Sequence, residues 1–190
     1  DCQGHSIIVG NGTPILTYRD RVTIKNCYLD NIGPAVNVSG GTVTIINSTL
    51  TNSTYGIWIN NGGAIIQSST ISNNNYSIFI VSGGATVQSS IISGNYFGLH
   101  LSGASTVNFN SVTFSNNVEN IFQANTTTGS VYNNIVFSGF TGTDNIINLQ
   151  NSNGNTFSFL SGTGIGDVAD NGLIRYLGSS NNLIRNSTFT

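Results

Sequence analysis

The sequence predicts an all-β solenoid, in which one chain winds short strands into a stack of turns. Three observations point to this fold class: a segment of about 21 residues is repeated, apolar residues alternate with polar ones, and helix-forming residues are scarce. Only 6% of the 190 residues are charged, whereas Asn, Ser and Thr number 29, 24 and 21. This composition disfavours amphipathic helices and suits short, half-buried strands.

Four consecutive segments show the repeat most clearly: 21–41, 42–63, 64–84 and 85–104. Aligned, their apolar residues fall into columns with a constant offset, which lengthens slightly at the last step. The columns are Ile24, Ile45, Ile66, Val87 and Phe109; Leu29, Leu50, Ile71, Ile92 and Phe114; Val36, Ile57, Ile78, Leu99 and Ile121; and Val38, Ile59, Ile80 and Leu101. One copy cannot bury its apolar face alone, so the copies must stack and each column becomes a ladder of like residues.

Each copy has the pattern of a strand with one buried face, since Val36 and Val38 flank the polar Asn37. Glycine pairs at 40–41, 62–63 and 83–84 predict the turns between copies. In the first turn, Gln3, Ile8 and Ile15 are expected to lie in register with the columns.

The repeat indicates a single domain over residues 1–190, with eight turns that each contain roughly 20–27 residues. Regular turns are expected over 1–104, and longer, looped turns over 105–190. Residues 182–190 form only a fraction of a turn.

These columns and their spacing resemble the right-handed parallel β-helix of short repeats, a superfold that includes the pectate-lyase-like families. The resemblance covers nearly the whole chain and implies a fold rather than a function. We expect a non-enzymatic surface or appendage protein of this fold.

Charge and hydropathy exclude several classes of partner. The net charge of −2 excludes a phosphate-driven nucleic-acid binder, which needs many Lys and Arg residues. No apolar run approaches the roughly 18–20 residues of a membrane span. We expect no cofactor.

An outward-facing aromatic strip is predicted beside the third and fourth columns. Its residues are Tyr55, Trp58, Tyr76, Phe79, Phe97, His100 and Phe122. Three interpretations remain open: the rings stack on one another beneath a later loop, they contact a protein, or they bind surface glycans.

Charged residues crowd the two ends of the chain, because Glu119 is the only one between Asn31 and Thr143. The candidate assembly residues are Arg19, Asp20, Arg21 and Asp30 at one end, and Arg175, Ile184, Arg185 and Phe189 at the other. They could block strand pairing at the edges, or guide head-to-tail pairing of copies into a homopolymer. A homotrimer is the other self-assembly expected.

Asp144, Asp167 and Asp170 form the one place where carboxylates could converge. Enzymes of the resembled fold place acidic clusters on the outer face of the coil, yet the hydrolase motifs are missing here. We therefore expect no catalytic residues, and regard the three as a weak metal candidate. Cys2 and Cys27 favour a disulfide, with an intermolecular bridge or free thiols left open.

Seven glycosylation sequons occur, at Asn11, Asn37, Asn47, Asn52, Asn75, Asn125 and Asn186. Because Asn, Ser and Thr are so frequent, chance alone predicts about seven, and the sequons only permit glycosylation. The leading hypothesis is an extracellular structural protein at a cell or virion surface, exported after removal of an N-terminal leader, which self-assembles. A carbohydrate-binding tail-spike or adhesin module is the alternative, and a polysaccharide-degrading enzyme comes third.

Overall fold

The computed structural model describes residues 1–10, 12–18, 21–103, 105–125, 129–140, 142, 145–163 and 173–189. These residues form twenty strands and no helix. The described residues therefore include no helix that is long and apolar enough to cross a membrane. The strands are β1 (Ser6–Val9), β2 (Ile15–Thr17), β3 (Val22–Lys25), β4 (Tyr28–Asn31), β5 (Val36–Val38), β6 (Thr42–Ile46), β7 (Thr49–Thr51), β8 (Tyr55–Gln67), β9 (Thr70–Ser72), β10 (Tyr76–Gln88), β11 (Ile91–Ser93), β12 (Phe97–Ser102), β13 (Ser105–Ser115), β14 (Glu119–Ala124), β15 (Val131–Ser138), β16 (Ile147–Gln150), β17 (Thr156–Thr163), β18 (Ile174–Leu177), β19 (Leu183–Arg185) and β20 (Thr188–Phe189).

The strands stack as three parallel ladders around one core, which confirms the predicted solenoid. The first ladder runs from Ile24 to Ile184, the second from Ile7 to Phe189 and the third from Ile15 to Ile174. All four predicted columns lie in register, with Ile57 beside Ile78 and Ile59 beside Ile80.

The core is the inside of the coil, filled by the inward residues of each strand. Val36, Ile57 and Ile78 are fully buried, whereas their outward neighbours Asn37 and Trp58 are half-buried. Alternation with a period of two therefore sorts apolar side chains inward on every face.

The second ladder is one rung longer than the other two. Within the described residues, the first and third ladders have eight rungs each and the second has nine. Eight rungs are separated by seven steps and nine rungs by eight, so the coil makes about seven to eight turns, close to the expected number.

Only the first glycine pair lies between strands as predicted, since Gly40 and Gly41 separate β5 from β6. The other two pairs do not end strands. Gly62 and Gly83 lie inside β8 and β10, where a long strand bends around a corner without losing its pairing. Gly83 has φ +114°, and a Cβ there would lie 2.0 Å from the carbonyl oxygen of Gly62. Glycine is needed because the backbones of successive turns approach so closely.

A buried asparagine ladder forms the corner between the second and third ladders. Asn95 accepts hydrogen bonds from the backbone N–H and the Nδ2 of Asn74, at 2.9 and 3.1 Å. Its own Nδ2 donates to the carbonyl of Ile71 and to Oδ1 of Asn117. These bonds satisfy buried polar groups at the turn, and they fix the chain just before Tyr76 and Phe97.

Candidate functional site: the aromatic strip and the ends of the coil

The predicted aromatic strip lies on the outside of the third ladder, in two adjacent rows. Trp58, Phe79, His100 and Phe122 pair in one row, and Tyr55, Tyr76 and Phe97 in the other. All seven side chains are half-buried. The rows form because each aromatic residue recurs at the repeat spacing.

The rings of the strip stack on one another along the coil. The centroids of Tyr55 and Tyr76 are 5.1 Å apart with planes at 18°, and those of Tyr76 and Phe97 are 4.6 Å apart at 11°. His100 stacks on Phe122 at 4.6 Å. Because neighbouring rings occupy each other's faces, the row Tyr55–Tyr76–Phe97 presents mainly ring edges to a partner.

His100 is held as a neutral member of this strip. Burial lowers the pKa of its imidazole from the ordinary 6.5 to about 4. Its Nδ1 is buried and has no hydrogen-bond partner among the described residues. The surrounding rings are Tyr76, Phe79, Phe97 and Phe122. This environment suits packing rather than proton transfer.

A groove on the first ladder was not predicted from the sequence. It has a volume of about 420 Å³, and its lining includes Gln88, Asn110, Asn133 and Arg185. At one end the Nε of Arg185 donates to Ser158 Oγ at 2.9 Å. The signal was present, because Gln88, Asn110 and Asn133 occupy one outward row at the repeat spacing.

The N-terminal segment is fastened across the first turn. Cys2 and Cys27 form a disulfide with their Cα atoms 4.9 Å apart. The offset from β1 to β4 is longer by one position than the offset from β4 to β7, which places Ile7 beside Leu29. The predictions for Gln3 and Ile8 are therefore wrong. Gln3 is exposed and lies in a turn before β1, and Ile8 faces outward and is 70% exposed. Ile15 does continue a buried column, beside Val36.

The charged assembly candidates are not all at the edges. Asp30 lies one rung inside, paired with Ile8, and accepts a hydrogen bond from Asn52 Nδ2 at 3.0 Å. Arg175 extends the outward row of the aromatic strip beyond Asn148. The backbone N–H of Arg21 donates to the carbonyl of Thr42. Arg19 and Asp20 lie outside the described residues.

At the C-terminal end, Ile184 and Phe189 pack partly buried against the core. The acidic candidates Asp144, Asp167 and Asp170 lie outside the described residues. Among the residues that are described, no three His, Cys, Asp or Glu side chains are grouped as metal ligands.

The sequons differ in how far their side chains are already engaged. Asn47 Nδ2 donates to Asn26 Oδ1 at 2.8 Å, as Asn52 Nδ2 does to Asp30. Asn75 and Asn186 are exposed. Of the others, Asn37 accepts from Ser39, Asn125 accepts from Asn151, and Asn11 is not among the described residues. Occupancy of these sites stays a prediction.

Comparison with known families gives a match to the model of the right-handed beta helix region, over residues 34–190. Comparisons with curated proteins and with solved structures gave no significant match. The matched segment includes the aromatic strip, the asparagine ladder and the last rung of every ladder. With most of its length matched, and with parallel ladders coiled around one core, the chain belongs to the right-handed β-helix family.

Proposed function

We propose that the chain is an extracellular structural protein, without enzymatic activity, that assembles end to end with further copies of itself. The observation that carries this proposal is the apolar surface at the C-terminal end of the coil. Leu149 is fully buried, yet Tyr176, the next residue of its column, is 45% exposed. Phe157 is likewise fully buried, whereas its neighbour Ile184 is only partly covered.

The first rungs of another copy offer matching side chains. If the ladders continue in register, Ile184 of one copy meets Ile24 of the next, and Ile174 meets Ile15. Such a contact would also pair the N–H and C=O groups of the edge strands. Because it joins opposite ends, it does not close, and it builds a filament.

The charges do not match as the sequence suggested. Continuing the ladders places Arg185 beside Lys25 and Arg175 beside Leu16, while Asp30 belongs to the second ladder and lies beside neither arginine. Apolar contact and strand pairing must therefore hold the junction against one like-charge pair.

An extracellular site is supported by the disulfide, which persists mainly in oxidising compartments. The neutral, Asn/Ser/Thr-rich composition is in keeping with it. We expect no cleavage of polysaccharides by the purified protein across a broad panel.

A carbohydrate-binding strip is the second candidate, favoured by seven half-buried aromatic residues on a nearly uncharged surface. Sugars stack on ring faces. Since Tyr55, Tyr76 and Phe97 use their faces on one another, we rank this role below assembly.

Solution mass as a function of protein concentration tests the proposal, measured with and without a thiol reductant. Ile184→Asp should abolish assembly by placing a charge in the junction, and Asn37→Asp on the side of the coil should not. A parent that stays monomeric at every concentration under both conditions would contradict self-assembly.

A further inference from the structure

The unequal ladders create a conflict at an end-to-end junction. When the first and third ladders continue in register from one copy to the next, each copy has room for eight rungs in every ladder. The second ladder, however, has nine rungs per copy. Strand β20 of one copy and β1 of the next would then need the same place beside β4. One of these two strands must leave for all three ladders to continue.

Strand β1 belongs to a segment that is held beside β4 by several contacts. Its residues Ser6–Val9 pair with Tyr28–Asn31, and the Cys2–Cys27 disulfide anchors its start. Cys2 N–H donates to the carbonyl of Lys25 at 3.0 Å, and Gly4 N–H to that of Asn26 at 2.7 Å. Ile24 is only 4% exposed, although no rung precedes it in the first ladder among the residues that the structure describes.

The C-terminal segment carries the groups that would take over these contacts. Asn26 Nδ2 now donates to Asp1 Oδ1 at 3.0 Å, just as Asn47 Nδ2 donates to Asn26 Oδ1. Asn186 has the same left-handed backbone as Asn26, with φ of 52° against 54°. It also follows Arg185 at the position where Asn26 follows Lys25, so its Oδ1 can replace that of Asp1.

Phe189 is placed to replace Ile7. Both occupy the column of Leu29 and Leu50 in the second ladder. The sequence of 185–190, RNSTFT, moreover repeats the interior sequence INSTLT of 46–51. The end segment therefore has the chemistry of an interior turn.

We propose that Asp1–Val9 is a displaceable cap, occupying the place that Asn186–Phe189 of a second copy takes during assembly. The disulfide holds the cap closed. This inference rests on the proposed end-to-end assembly and names how it is controlled.

Strand β1, rather than β20, is the one that leaves, because of Gly162. The neighbour of Phe189 in the second ladder is Gly162, which has no side chain, and Phe189 packs against the core there. Removing β20 would uncover the column above the buried Phe137. Removing β1 exposes only a place that the incoming Phe189 fills.

The double variant Cys2→Ser/Cys27→Ser tests the cap by measuring the concentration at half-assembly. Freeing the segment should lower that concentration by roughly 100-fold, which corresponds to the free energy by which the disulfide stabilises the closed cap. Adding Phe189→Asp to the double variant should abolish this improvement in assembly. Ile7→Ser, which keeps the disulfide and loosens β1, should give a smaller gain and covers the case in which the double variant fails to fold. Equal assembly of the parent and both cap variants would overturn the cap while leaving self-assembly intact.

A peptide measurement is independent of whether filaments form. An acetylated peptide of residues 183–189, LIRNSTF, should bind the double variant by fluorescence anisotropy and not the oxidised parent. The same peptide with Asp in place of Phe189 should not bind. Binding to both proteins alike, or to neither, would contradict the cap.

Discussion

At the scale of the residue, each position in the coil is constrained by the same position one turn away. Ile57 is fully buried and lies between Val36 and Ile78 in its ladder. The polar side chains that are buried belong to ladders of their own, such as Asn74, Asn95 and Asn117. A residue is therefore tolerated when it suits its column.

Ile57→Asp should prevent folding, because it buries an unpaired charge against apolar neighbours on both sides. The expected loss exceeds about 4 kcal/mol in the free energy of unfolding. Asn37→Asp, on the outward side of the preceding rung, is the matched control and should change little. A protease-resistant Ile57→Asp protein with the circular dichroism of the parent would show that the register is wrong.

His100 should make stability depend on pH. Burial lowers its pKa from 6.5 to about 4, so the unfolded chain binds the proton more readily between these values. The stability that the neutral His100 contributes to the folded protein is complete above pH 6.5 and is lost as the pH falls towards 4. His100→Phe, which matches the neighbouring Phe79 and Phe122, should remove this part of the pH dependence. Urea unfolding of both proteins from pH 7 to 4 checks this prediction. If the free energy of unfolding changes with pH equally in the two proteins, the prediction is contradicted.

At the scale of the element, the aromatic strip stabilises the coil whether or not a partner covers it. Tyr76 stacks on both Tyr55 and Phe97, and aromatic pairs contribute about 0.5–1.5 kcal/mol each beyond burial. Tyr76→Leu should therefore lower the free energy of unfolding by about 1–3 kcal/mol. Tyr96, which is 51% exposed and meets Phe97 by its edge, is the control, and Tyr96→Leu should cost less. Equal losses in chemical denaturation would count against the stacked rows.

The sequence was most informative where the repeat is constant. The constant offset of the central turns was enough to predict the columns and the order of the ring rows, since the period of a ladder determines which side chains meet. The first turn was harder because its offset is longer by one position, and Gln3 adopts φ 51° between Cys2 and Gly4. The glycine pairs at 62–63 and 83–84 were misread as strand ends, because a strand that bends at a corner has the same composition as a turn.

At the scale of the whole molecule, assembly depends on how the two ends meet. The junction places Arg185 beside Lys25 on the outer row of the first ladder. Lys25→Glu should convert this repulsion into an attraction, and should lower the concentration needed for assembly. Added salt should help the parent but not this variant, because screening weakens both repulsion and attraction. Lys25→Glu assembling less readily than the parent in light scattering would exclude this register.

Electron microscopy of the purified protein, before and after the disulfide is removed, tests end-to-end assembly most directly. We expect short particles for the oxidised parent and rods for the Cys2→Ser/Cys27→Ser variant. The rods should keep the width of one coil and lengthen by about 38 Å per copy, the height of eight rungs. Single-coil particles in both preparations, or assemblies that grow in width instead of length, would contradict it.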